Sequence, residues 1–135
     1  MGKHDLTNEI LGLIALKQEG AYWDFKREWY GAEKNADLLH DVICMANSLN
    51  NHDGYIVIGV DESDAFTFVD VQTDKNRRNT QNIVDFLREK KFAGDVRPVV
   101  YVEQLVIAAV EIDVIVIKND RNTPYYLIES CRGVC

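Results

Sequence analysis

Two periods of apolar residues run through the chain. Leu6, Ile10, Leu13 and Ile14 recur at helical spacing, with Asp5 or Thr7 as the cap and Gly20 after the last turn. At residues 22–26 the pattern changes to alternation. Trp23 and Phe25 fall on one face and Tyr22, Asp24 and Lys26 on the other, which predicts a short half-buried strand. Leu38, Leu39, Val42, Ile43, Ala46 and Leu49 then make the wide stripe of a second helix, capped by Asn35 or Asp37 and stopped by the polar run at 50–54. Residues 55–60 are continuously apolar and β-branched, the pattern of a central strand covered on both faces. A turn at 61–64 with three carboxylates closes it, and 66–71 is expected as the next strand. Ile83, Val84 and Leu87 line a third helix over 79–91. Beyond Pro98, residues 100–105 and 109–117 read as antiparallel strands joined at 106–108, a joint without Asn-Gly or a Gly-rich turn. A loop at 119–124 leads to an extended segment at 125–128. With no repeat and no linker, this order predicts one α+β domain over residues 1–135, a mixed sheet packed with about three helices.

Composition narrows the class. At 135 residues, 47% apolar and 27% charged, with eight Gly and two Pro, the chain is an ordinary globular domain; disorder, collagen and low-complexity architectures are excluded. A core of this size needs no structural metal. The net charge of −7 disfavours a polyanion binder that works through bulk positive field, so a nucleic-acid site has to be local. Residues 74–97 carry a surplus of three positive charges, which a solvated helix face explains more readily than a phosphate patch. Cys44, Cys131 and Cys135 form an odd set without a C-x-x-C pair, and no N-x-[ST] acceptor occurs, which points to a reducing, cytoplasmic setting. No basic segment followed by an apolar run opens the chain, and no apolar stretch reaches the roughly 18 residues that a membrane span requires.

Three carboxylates are candidates for chemistry. Glu19, Asp24 and, at the end of the apolar strand, Asp61 could together hold a hard divalent cation, which takes oxygen ligands and polarises a phosphoryl oxygen. The spacing of Glu19 and Asp24 is odd, so in a straight strand they would face opposite ways; Gly20 has to break the strand if they are to meet. The competing interpretation leaves Asp24 and Lys26 as exposed strand positions and Asp61 as a turn residue. Two basic spots, Lys26-Arg27 and Lys75-Asn76-Arg77-Arg78, are candidates for phosphate contacts, with Trp23, Trp29 and Tyr30 as stacking platforms; against that, Trp23 alternates as a core residue. His4, His40 and His52 have no metal-ligand spacing, Cys44 falls on the apolar helix stripe, and no nucleophile–base arrangement is arguable.

Four short motifs follow one another in order: Asp24-Phe25-Lys26 on a strand, a helix ending in Ala46-Asn47, the turn Asp53-Gly54, and an apolar strand closing in Gly59-Val60-Asp61. This arrangement covers most of the chain and resembles the Schlafen-type AlbA-like domain, also known as the divergent AAA putative DNA-binding domain. The resemblance implies a nucleic-acid-binding module, for DNA or RNA, of the kind found as a transcriptional or regulatory accessory domain. For some members it implies a divalent-metal-dependent endoribonuclease acting on structured RNA. The catalytic and metal-binding acids would then map onto Glu19, Asp24 and Asp61, with Mg²⁺ or Mn²⁺ as cofactor in a catalytic member; the residues read above as basic spots, Lys26, Arg27, Lys75, Arg77 and Arg78, are the candidates for contact with the nucleic acid. The second acid is usually Glu and is Asp here, which shortens its reach by one methylene. Despite the older family name there is no G-x-x-x-x-G-K-[ST] phosphate loop, so ATP binding is not expected. A protein–protein or homodimerisation module is the third interpretation and fits the acidic balance. The chain also stops before the segment that usually closes the family pattern, as the N-terminal part of a longer protein would.

Overall fold

The computed structural model describes residues 2–48, 51–119 and 124–128. In chain order the elements are α1 (Lys3–Ala15), β1 (Trp23–Lys26), α2 (Asn35–Ala46), β2 (Gly54–Ile58), β3 (Val60–Asp61), β4 (Thr67–Phe68), α3 (Thr80–Arg88), β5 (Val100–Ile107) and β6 (Val110–Ile117). Four strands form one sheet in the order β1-β2-β6-β5; β1 and β2 are parallel and the other pairs antiparallel, so the sheet is mixed. β3 and β4 make a separate two-residue ladder.

Side-chain alternation divides the core into two layers. Trp23 and Phe25 sit beside Tyr55 and Val57 in register and, with Leu105, Ile112, Val114 and Val116, meet Leu6, Ile10 and Leu13 of α1. Ile56, Ile58, Ile115 and Ile117 point the other way, onto Leu38, Val42 and Ile43 of α2 and Ile83 and Leu87 of α3. The predicted α+β class and the three helices are therefore present, with α1 on one face of the sheet and α2 and α3 on the other. Among the described residues no helix is long and apolar enough to cross a membrane.

Several boundaries differ from the sequence expectation. α1 starts at Lys3, before either expected cap, behind Gly2 with no side-chain cap bond. α3 starts where expected because Asn79 and Asn82 form a reciprocal capping box, but it ends at Arg88. The strand expected over 66–71 shrinks to Thr67–Phe68, since Ala65 and Phe66 both take left-handed backbone angles and Asp70 folds back to accept from the Gln72 amide at 2.7 Å. The hairpin strands reach Ile107 and Val110, which leaves Ala108-Ala109 as the two-residue turn; both residues have positive φ, 54° and 63°, as a type I′ turn requires. Leu49, the run at 120–123, Cys131 and Cys135 lie outside the described residues. The extended segment at 125–128 pairs with the residues after α3, Ala93 N donating to Tyr126 O and Ile128 N to Lys91 O. The Asn47 side chain both accepts from Tyr125 N (2.7 Å) and donates to Tyr125 O (2.8 Å), so the Ala-Asn motif acts as a backbone clamp on that segment. Cys44, expected on the buried stripe of α2, lies on its exposed side with Sγ 3.6 Å from His40 Nε2.

Candidate carboxylate cluster and nucleic-acid cleft

Gly20 decides where Glu19 lies. Its amide donates to Trp23 O at 3.2 Å in an isolated antiparallel bridge, so the chain reverses through 21–22 and returns as β1. A Cβ on Gly20 would fall within the Trp23 ring, and that indole is fixed by Nε1 donating to Gln18 O at 2.8 Å. The reversal cancels the odd spacing and brings the Glu19 and Asp24 side chains into hydrogen-bond contact. Asp24 lies on the α2 face of β1. Burial, and then the bond with Glu19, push its carboxyl up to about 6, against the pull of Lys26 Nζ at 3.2 Å. Burial works against the charge of Lys26 in turn, but Asp24 and Asp41, the latter at 3.8 Å, outweigh it and hold the ammonium above its ordinary range. Tyr30 completes the chain of contacts by donating from its hydroxyl to Asp41 Oδ2 at 2.6 Å.

The third carboxylate at this point belongs to Glu62. One oxygen each from Glu19, Asp24 and Glu62 lie within 4.8 Å of one another. Asp61, expected in that position, is engaged next door. Its Oδ1 accepts from the Ser63 amide (3.0 Å) and hydroxyl (2.6 Å), and its Oδ2 accepts from Arg27 Nε (3.2 Å). The Ser63 hydroxyl, with the Ser63 amide and Arg27 behind it, holds the Asp61 carboxyl below its ordinary range. Asp61 thus caps the turn that presents Glu62. That turn is placed by Gly59, whose φ of +113° and close approach to Ile112 and Val69 O exclude a side chain. The separation of the three oxygens suits a divalent cation bound by oxygens about 2.0–2.6 Å from the metal, and the exposure of Glu19 and Glu62 leaves room for water or phosphate.

Next to the cluster, at the carboxyl end of β1, is a cleft of about 730 Å³. Residues 26–34 form one wall, Lys75 and Asn76 a second, and Asp37 and Asp41 of α2 a third. Four basic residues line it, Lys26, Arg27, Lys34 and Lys75, against Glu28, Glu33, Asp37 and Asp41, so its formal charge balances. What differs is engagement. Lys26 is held by Asp24 and Asp41, and Arg27 makes surface pairs with Asp61 and Glu28. Lys34 and Lys75 are exposed and unpaired among the described residues.

The other two cations expected at this surface are engaged by protein groups. Arg77 forks onto the fully buried Asp113, Nε to Oδ2 at 2.9 Å and Nη2 to Oδ1 at 2.8 Å, and also pairs with Glu111. Arg78 donates to Tyr30 O (3.0 Å) and Asn35 Oδ1 (2.8 Å). The aromatic platforms are absent as well: Trp23, Trp29 and Tyr30 are 9%, 2% and 6% exposed. Lys34 and Glu62 are the two site residues that motif reading passed over. Lys34 carries no motif, and Glu62 is hidden beside an acid that matches one.

No curated protein and no solved structure matches the chain. A family model does, described as Schlafen, AlbA_2, over residues 19–134, from the glutamate of the carboxylate cluster through β6 and the segment clamped by Asn47. The chain belongs to the Schlafen, AlbA_2 family.

Proposed function

We propose that this domain binds nucleic acid through its phosphates in the cleft at the end of β1. The observation that carries this reading is the pair of unengaged lysines, Lys34 and Lys75, supplied to one cleft by two separate connections. Arg27 adds a third cation whose surface pairs are weak enough to exchange for a phosphate. With every nearby aromatic buried, recognition rests on backbone charge and shape rather than base stacking. Each phosphate contact made by these cations makes binding fall with salt, while the net charge of −7 keeps the rest of the surface from contributing. The test is the affinity for a labelled hairpin RNA and a duplex DNA over a salt series. Lys34→Gln with Lys75→Gln should weaken binding and make the log–log salt slope shallower by about two contacts. Binding indifferent to salt, or unchanged in the double variant, overturns the reading.

A second reading, divalent-metal-dependent cleavage of RNA, is favoured by the convergence of Glu19, Asp24 and Glu62. These residues would hold Mg²⁺ or Mn²⁺, which when bound polarises a phosphoryl oxygen and acidifies a water. Lys26, already against Asp24, would offset charge on the phosphate. Denaturing gels with Mg²⁺, Mn²⁺ or chelator test this reading. Cleavage lost in Asp24→Asn and Glu62→Gln supports the cluster as drawn. Loss in Asp61→Asn with Glu62→Gln intact moves the ion to Asp61, and no metal-dependent cleavage removes the reading.

A further inference from the structure

The two walls of the cleft are tied to the sheet at one buried point. Asp113 is 0% exposed in the middle of β6 and accepts three hydrogen bonds, two from the Arg77 fork and one from Trp29 Nε1 at 2.7 Å. Trp29 belongs to the wall over 26–34, and Arg77 follows directly on the wall at Lys75 and Asn76. A second tie lies above the first: the Trp29 amide donates to Asp74 Oδ2 at 2.9 Å, while Asp74 Oδ1 accepts from the Asn76 amide. An isolated carboxylate in a strand core is costly to bury, and only a bidentate, fully hydrogen-bonded partner makes it tolerable.

We infer that Arg77 and Asp113 are positioning residues for the cleft: their fork, with the Trp29 indole, sets the separation of the wall bearing Lys34 from the wall bearing Lys75. The inference rests on the phosphate-binding reading of that cleft, and it gives Arg77 an indirect role in place of the direct phosphate contact that its basic motif indicates. A cleft whose walls are set beforehand binds without first having to order them.

Removing one partner alone strands the other in the core and can unfold the chain. The informative variant is therefore Arg77→Met combined with Asp113→Leu, which removes both charges at similar volume. Two measurements on the full chain, made well below the melting temperatures of both proteins, decide the matter. Hydrogen exchange of the unliganded protein should quicken together at 27–34 and 74–76; quickening at one wall only, or at neither, overturns the inference. Affinity for the labelled hairpin RNA at fixed salt should fall about tenfold or more, whereas wild-type affinity overturns it. Arg77→Lys separates the two roles. A lysine would serve as a direct phosphate contact but cannot reproduce the planar fork, so binding restored by lysine overturns positioning and binding still weak supports it. If wild type binds neither probe, the phosphate reading fails by itself, and the exchange measurement still decides the clamp.

Discussion

Asp24 shows what a single residue costs this fold. Its carboxyl titrates near 3.8 when unfolded and about 6 when folded, so the folded chain holds the extra proton between those values. Folding is therefore favoured fully below the lower value, and the advantage is lost as pH rises through the upper one. At about pH 8 the ionised, partly buried group costs on the order of 2–3 kcal/mol. Asp24→Asn should then raise the melting temperature by several degrees at about pH 8 and give no gain at about pH 4. An equal change at both pH values would disprove this account.

At the scale of elements, the local pattern identified what local physics determines. Residues 55–58 of the continuous apolar run are the doubly covered strand β2, with Gly59 ending it and Val60 passing to β3, and the stripe from Leu38 to Ala46 is the buried face of α2. The alternation of Trp23 and Phe25 against Asp24 and Lys26 gave β1 its correct faces. Illegible features depend on partners far along the chain or on backbone angles that residue type disguises. Arg77 reads as a phosphate contact because its neighbours are basic, yet its partner Asp113 lies 36 residues away in a different element. Trp29 and Tyr30 read as surface aromatics because the loop that buries them has no period. The turn falls at Ala108-Ala109 rather than across the expected 106–108, a shift the pattern hides because neither residue type advertises a positive φ. Those two alanines carry left-handed angles that cost about 1–2 kcal/mol each. Replacing them as Ala108→Asn with Ala109→Gly should raise the melting temperature by about 3–8 °C without altering cleft binding. An unchanged or lowered melting temperature would show that the pair is not strained.

At the scale of the molecule, the family match begins at residue 19, and α1 lies before it. Even so, Leu6, Ile10 and Leu13 pack into the core on one face of the sheet, and Glu9 fastens that helix by accepting from the Tyr55 hydroxyl at 3.0 Å and facing His52 Nε2 at 3.2 Å. A chain started at residue 19 retains the matched region and loses this cover. It should bind ANS and melt without a cooperative transition, whereas the full chain should melt cooperatively and leave the dye unbound. Cooperative melting of the short chain, with no dye binding, would show that α1 is dispensable to the core.

The place of β1 at the end of the sheet order has a thermodynamic consequence. It is joined to a neighbouring strand on one side only, while β2, β6 and β5 form a continuous antiparallel unit. Glu19 and Asp24 of the carboxylate cluster and Lys26 and Arg27 of the cleft all stand on or beside this edge strand. Opening β1 would dismantle both features and leave the remaining sheet paired. For a ligand bound at this edge, occupancy and the closing of β1 would form one linked equilibrium. A ligand held there adds its binding energy to the protection of β1 amides, and any substitution that frees the strand weakens apparent affinity by the fraction of molecules left open.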